Sequence, residues 1–199
     1  MSDFRRRTVV ASIPYDAEIE YLENTYRDWI NTGIKLTDDM GFKIIFESTT
    51  EIGAGHPMCG VFQSSSGGNL CLRFGASYLF VVYDGTTYVD TKVNKNTTVG
   101  NRTTVTVNIE HEVFVNDVKK GSFSRDTQVN ESDFLLFRAT GNSNYTPSKI
   151  YEFSLFTSDG VIFDGIPVRK NGVGYMYDKI SHQLFGNSGT GNFILGPDL

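Results

Sequence analysis

The groups in this chain that could carry chemistry are three histidines, two cysteines and a scatter of acidic side chains. Nucleophilic catalysis needs a base beside the nucleophile. His56, His111 and His182 stand in no Gly-x-Ser-x-Gly or Cys/His context, and metal-binding cysteine pairs and His-Glu-x-x-His are missing. On one strand, Glu110-His111-Glu112 would put two carboxylates on one face and the imidazole on the other, which suits a hairpin-turn cluster better than a metal site. A retaining glycosidase needs two carboxylates across the scissile bond. Glu18-Ile19-Glu20 and Asp38-Asp39 are the close acidic pairs in plausible positions, and both read as edge strand or turn. Asp38, Asp39, Asp84 and Asp90 offer hard oxygens, but their spacing matches no calcium loop, so surface turns are expected. The glycine-rich stretches at Gly53–Gly55 and Gly186–Gly191 open no helix after a strand and fail as phosphate cradles. The expectation is a protein that is not an enzyme, with no metal and no cofactor.

Sugar recognition asks for an aromatic platform beside amides and carboxylates that read hydroxyls. Two loops hold those ingredients, Tyr83–Tyr88 and Gly141–Thr146, and make Asp84, Tyr88, Asn142, Asn144 and Tyr145 the glycan-binding candidates. The alternative for both loops is an ordinary polar turn with a tyrosine closing over the core. Trp29, the sole tryptophan, lies in a strand-like stretch and reads as core rather than platform. At the N-terminus Phe4, Arg5, Arg6 and Arg7 form a cationic cluster with an apolar tip on a chain of net charge −5. Arginine binds carboxylates through paired planar hydrogen bonds, so these residues are expected to anchor residues 1–17 on an acidic groove of a partner. The overall acidic balance argues against a general nucleic-acid binder.

These groups have to be positioned by strands. The chain has 199 residues, 39% hydrophobic and 21% charged, enough for one sizeable core. Apolar residues recur with period two: Phe42, Ile44 and Phe46; Val105 and Val107; Tyr151, Phe153 and Leu155, all expected to point inward. Turn signals fall at hairpin intervals, at Ser64–Asn69, Asp84-Gly85, Asn116-Asp117, Ser158–Gly160 and Asn171-Gly172. About a dozen short antiparallel strands follow, packed as a two-sheet β-sandwich over residues 18–199, with a single helical turn over Asp16–Leu22. The longest apolar runs, such as Tyr78–Tyr83, are too short to span a bilayer, so no membrane partner is expected. The short apolar stretch after the arginines is too brief for a signal peptide, which predicts folding in a cytoplasm. Placing Gln63 opposite Leu70 sets Cys59 against Phe74 and Cys71 against Phe62, with the two thiols on opposite faces and therefore unbonded.

Two segments carry a family resemblance. Tyr21-Leu22-Glu23-Asn24-Thr25-Tyr26-Arg27-Asp28-Trp29-Ile30-Asn31-Thr32-Gly33-Ile34 resembles the opening of laminin-G-like, concanavalin A-like lectin domains of gut Bacteroidales and their crAss-like phages. Lys149–Phe153, Ile166–Arg169, Gly174–Asp178 and Gly189–Phe193 resemble the closing strands of that family, and Phe114–Val118 resembles its central hairpin. Tyr26 stands where the family pattern has Gly, Asp28 where it has Gln, Trp29 where it has Tyr, and Asn31 where it has Asp, which argues against a metal at that position. The resemblance implies a concanavalin A-like jelly roll. With the arginine-rich leader it also implies a non-enzymatic virion structural or decoration protein of head- or tail-fibre type. Such a protein would be a homo-oligomer, bound to other virion proteins through its N-terminal arm and adhering to host-surface glycans. The alternative is a soluble or cell-surface carbohydrate-binding lectin module.

Overall fold

The computed structural model describes residues 13–62, 68–84, 87–124, 130–142 and 144–199. Phe4, Arg5, Arg6 and Arg7, with the partner contact expected of them, lie outside the described residues. The first strands are β1 (Ala17–Glu18), β2 (Leu22–Glu23), β3 (Ile30–Leu36), β4 (Gly41–Ser48), β5 (Pro57–Val61) and β6 (Leu70–Phe74). Next come β7 (Tyr78–Asp84), β8 (Thr87–Asn94), β9 (Thr103–Val107), β10 (Glu112–Val115), β11 (Val118–Ser122) and β12 (Asn130–Leu136). The chain closes with β13 (Ser148–Thr157), β14 (Gly160–Lys170), β15 (Val173–Asp178), β16 (Gln183–Phe185) and β17 (Ile194–Leu195). Among the described residues the only helical element is a 3-10 turn at Lys95–Thr98, and no helix is long and apolar enough to cross a membrane.

The strands make two antiparallel sheets packed as a sandwich of jelly-roll type. The larger runs β11-β10-β9-β4-β13-β14-β15-β16, with β1 added to β14 and β2 and β17 added beside β13; the smaller runs β3-β12-β5-β6-β7-β8. Period-two alternation sends Phe42, Ile44, Phe46, Val105, Val107, Phe153 and Leu155 into the core, each with no exposed surface. Phenylalanines join the sheets: Phe46 meets Phe74 edge-on at 6.1 Å, and Phe134 lies 5.9 Å from Phe42 and 5.5 Å from Phe153. Asn116-Asp117 and Asn171-Gly172 close their hairpins with both residues at positive φ, 49° and 62° in the first and 52° and 76° in the second, the primed turn that matches strand twist.

Three expectations need correction. Asp16–Leu22 forms no helical turn: Ala17 and Glu18 pair with Arg169 and Val168 of β14, and Ile19 bridges to Asp198. Arg169 fixes that edge by donating to both carboxylate oxygens of Asp198 at 3.2 and 2.7 Å, so the chain enters the sheet at residues counted in the arm. The hairpin between β5 and β6 pairs Cys59 with Leu72 and Gly60 with Cys71, a slip of two residues from the expected register. An even slip preserves facing. Cys59 joins the main core, Cys71 packs on the other face with Val82 and Ala139, and both are free thiols. Burial keeps both protonated, pushing Cys71 up to about 12.

The third correction is Tyr151. A bulge in the β13–β4 pairing between Ile150 and Glu152 shifts the phase, so Ile150 takes the core position and Tyr151 turns to the outer face. There its hydroxyl donates to Glu47 Oε2 at 2.8 Å, Lys149 donates to Glu47 Oε1 at 3.0 Å, and Arg102 stands 3.9 Å over the tyrosine ring. Burial works to raise the Glu47 pKa, but the bonds from Tyr151 and Lys149 and the charges of Lys149 and Arg102 outweigh it and hold the carboxyl below its ordinary 4.5. A carboxyl depressed on folding stabilises the fold above its unfolded pKa, and that contribution is lost as pH falls through the folded value. Glu47→Gln is therefore expected to cost about 1–2 kcal/mol near pH 7. In urea denaturation across pH, the gap to the parent should close below the ordinary carboxylate range.

Candidate functional site

The opening and closing motifs meet at the end of β3. Asp28 is fully buried and carries the contact. Its Oδ2 accepts the Thr25 amide at 2.8 Å and the Thr25 hydroxyl at 2.5 Å, while Oδ1 accepts Asn187 Nδ2 at 3.3 Å. The same Asn187 amide donates to the Gly191 carbonyl at 2.6 Å, and its Oδ1 accepts the backbone N–H of Trp29 at 3.1 Å and of Gly189 at 2.7 Å. A buried carboxylate needs this many donors. Gly191 has to be glycine because a Cβ would overlap Asp28 Oδ1. Tyr26 takes φ of 79°, the left-handed region, at the position where the family pattern has Gly, and its N–H is held by the Asn24 side chain. The product of this latch is a fixed Trp29.

Trp29 corrects a further expectation: it is half-buried, packing one side against the core and bordering a groove of about 370 Å³. The groove lies on the outer face of the smaller sheet, along β3 and β12. Asn31, Asp133 and Leu135 floor it; Lys35 and Glu131 close one end, Arg138, Thr140 and Gly141 the other. Asn31 Nδ2 donates to Asp133 Oδ2 at 2.8 Å, which leaves Asp133 Oδ1 without a protein donor among the described residues. Arg138 is held over the Trp29 ring and the Tyr145 ring, 5.3 Å from each centroid, and its Nε donates to the Asn142 carbonyl at 2.8 Å. Its terminal amino groups have no acceptor among the described residues.

The segment after β12 doubles back over the same face. Thr140 bonds to Gly60 and Phe62 of the β5 region through its backbone, and its hydroxyl donates to the Asp133 carbonyl. Ala139 covers Cys71 and Val82. On the far side of this segment lies a second groove of about 250 Å³, lined by Phe62, Arg73, Phe80, Val82 and Tyr88 with Ala54, Gly55 and Gly75. Phe80 is packed so closely on Gly75 that any Cβ there would collide with the ring, and Tyr88, 53% exposed, leans on Phe80 at 4.6 Å. Arg73 stands 5.0 Å over the Phe62 ring.

The glycan candidates thus divide. Tyr145 backs the first groove through Arg138, and its carbonyl meets His56 Nδ1 at 2.7 Å. Tyr88 belongs to the second groove, and Asn144 is exposed beside neither. Asn142 is committed to the loop, donating to the Gly55 carbonyl at 3.2 Å and accepting from the Asn144 amide at 2.8 Å. The Asp84 side chain lies outside the described residues, and Tyr83 stacks on Phe123 at 4.1 Å as a core lid. Sequence reasoning weighed Asn31 only as a departure that argues against a metal, and it passed over Asp133, Arg73 and Arg138. The signal for the two arginines was a lone cation inside an apolar run, Leu70–Phe74 and Phe134–Ala139.

Most of the remaining chemical groups are engaged structurally; the exception is Asp38, whose Oδ1 is buried without a partner among the described residues. His111 Nε2 meets the Asp38 carbonyl at 2.8 Å and stacks on Phe123, and His182 Nδ1 meets the Tyr177 hydroxyl at 3.0 Å. Asp39 caps the β13–β14 turn, where the Ser158 hydroxyl and amide hold its carboxyl down at about 2. Asp90 pairs with Lys92 at 2.7 Å. No three His, Cys, Asp or Glu among the described residues are grouped to hold a metal ion.

In fold the chain is similar to a solved structure described as a putative carbohydrate binding protein from Bacteroides ovatus, with a TM-score of 0.62 at 12% sequence identity. The likeness covers 92% of this chain and 60% of that one, so the chain spans about 60% of the length of the protein it matches. At that identity the likeness is one of fold, a two-sheet antiparallel β-sandwich. No family model matches the chain, and no curated protein matches it in sequence.

The latch generates a direct prediction. Asp28→Ala strips the acceptor from Thr25 and Asn187 and is expected to cost about 2–3 kcal/mol in chemical denaturation. It should also release Trp29, read as a red-shifted emission of the folded variant.

Proposed function

We propose that this protein is a non-catalytic carbohydrate-binding module and that sugars bind on the outer face of its smaller sheet, in the Trp29 groove. The observation that carries this reading is a half-buried tryptophan beside unsatisfied polar groups of both kinds. Among the described residues the terminal amino groups of Arg138, over the indole, have no acceptor, and Asp133 Oδ1, across the floor, has no donor. A pyranose presents that combination in reverse, with apolar C–H patches flanked by hydroxyls that each donate and accept. The groups are preorganised: Trp29 by Asn187, Asp133 by Asn31, and Arg138 by Tyr145 and the Asn142 carbonyl. The likeness to a protein described as carbohydrate binding favours the same reading.

The test is affinity electrophoresis and calorimetry against a panel of neutral bacterial and plant polysaccharides. At least one ligand is expected to bind, with Trp29→Ala weakening it tenfold or more and Asp133→Ala weakening it severalfold, while both variants keep the parent's circular dichroism spectrum. Equal affinity of a folded Trp29→Ala variant, or no binding across the panel, would contradict the proposal.

A further inference from the structure

We infer that the Tyr88 groove is a second saccharide subsite, selective for a sugar ring that carries an anionic group, a uronate carboxylate or a sulfate ester. The inference rests on the carbohydrate reading above and adds to it a site and a ligand class.

The charge pattern is the starting point. On the larger sheet most cations have carboxylate partners, Lys149 with Glu47, Lys43 with Glu152, Lys119 with Glu112, Lys179 with Asp164 and Arg169 with Asp198, with Arg102 on Glu20 beside β9, and the exceptions among the described residues, Lys120 and Lys170, line no groove. Arg73 has no carboxylate partner among the described residues, and it is the sole charged residue lining its groove. An arginine without a carboxylate partner among the described residues of an acidic protein, within an aromatic cleft, is poised for an anion from outside. Its geometry fits that use. The guanidinium is held 5.0 Å over the Phe62 ring, and its N–H groups have no acceptor among the described residues, which leaves them for the paired hydrogen bonds by which arginine binds carboxylate and sulfate. Arg73 also runs close beside Gly55, where a Cβ would come within 3.1 Å of Nη2, and the Gly55 carbonyl is tied to Asn142.

The remainder of the groove suits the ring that would carry the anion. Phe80, locked on Gly75, supports Tyr88, whose exposed ring is the stacking surface. The volume of about 250 Å³ is below the range of roughly 300–1,000 Å³ usual for ligand clefts, which limits the site to about one ring. The first groove differs in charge: Arg138 and Lys35 are matched there by Asp133 and Glu131, which suits a neutral sugar. Both grooves open on one sheet face, either side of the segment holding Ala139 and Thr140, so one branched or extended glycan can reach both.

Calorimetry on the full chain with three oligosaccharides of equal length tests this: an oligogalacturonate, a sulfated galacto-oligosaccharide and its neutral counterpart. The acidic ligands are expected to bind at least tenfold more tightly than the neutral one, with the preference shrinking as salt rises and disappearing in Arg73→Gln. Arg73→Lys, which keeps the charge but not the planar pair, should fall between. Whichever acidic ligand binds more tightly identifies the anion as carboxylate or sulfate. No acidic preference, or a preference that survives Arg73→Gln, overturns the second site. Should Arg73→Gln fail to fold, the Tyr88→Ala variant and the salt dependence carry the same decision. Neutral ligand bound without acidic preference leaves the carbohydrate reading standing and removes this inference alone; no binding by any of the three removes both.

Discussion

The buried Asp28–Asn187 contact is the constraint on which the binding face depends. It joins residues at opposite ends of the sequence, and Asn187 reaches from Asp28 to the backbone of Trp29 in one side chain. A carboxylate with no exposed surface is costly to desolvate, so its neighbourhood has to supply donors from both motifs at once. That requirement explains the glycines at 189 and 191, whose missing side chains let the closing loop approach Arg27 and Asp28. The loop, the strand entry and the tryptophan are a single unit, so the proposed sugar platform is fixed by hydrogen bonds within the fold.

The two sheets divide the work electrostatically. On the outer face of the larger sheet the polar groups are largely paired with one another, as in the cluster of Glu47, Lys149, Tyr151 and Arg102, and the groove of about 270 Å³ beside it, between Glu18, Arg102, Tyr151 and Pro167, has its arginine bound to Glu20. Arginines stand over aromatic rings on both sheets, Arg102 over Tyr151 on the larger and Arg138 over Trp29 and Tyr145 and Arg73 over Phe62 on the smaller. Arg102 is also bound to Glu20, whereas Arg138 and Arg73 have no carboxylate partner among the described residues. The proposed binding face is the one on which that difference falls.

Much of the scaffold was legible because it follows from local rules. The Asx-Gly and Asx-Asp turns need positive φ, and alternation decides which residues are buried in β4, β9 and most of β13. Thiol facing survived a register error because only an odd slip reverses it. Tyr151 was misplaced because a bulge depends on how β13 meets β4, which its own residues do not encode. The site was less legible still. Trp29 looks like core until Asn187 turns it to the edge of the sheet, and Asn31 and Asp133 come together across 102 positions. Arg73 and Arg138 are single residues with no motif around them. Their proposed role rests on the carboxylate partner that neither has among the described residues, and that is visible only in three dimensions.

The sole tryptophan makes the central claim directly observable. Emission of Trp29 should change saturably when a bound oligosaccharide is titrated into the intact protein, with a midpoint equal to the calorimetric dissociation constant. Calorimetric binding that leaves Trp29 emission and its quenching by acrylamide untouched would place the sugar elsewhere and contradict the account.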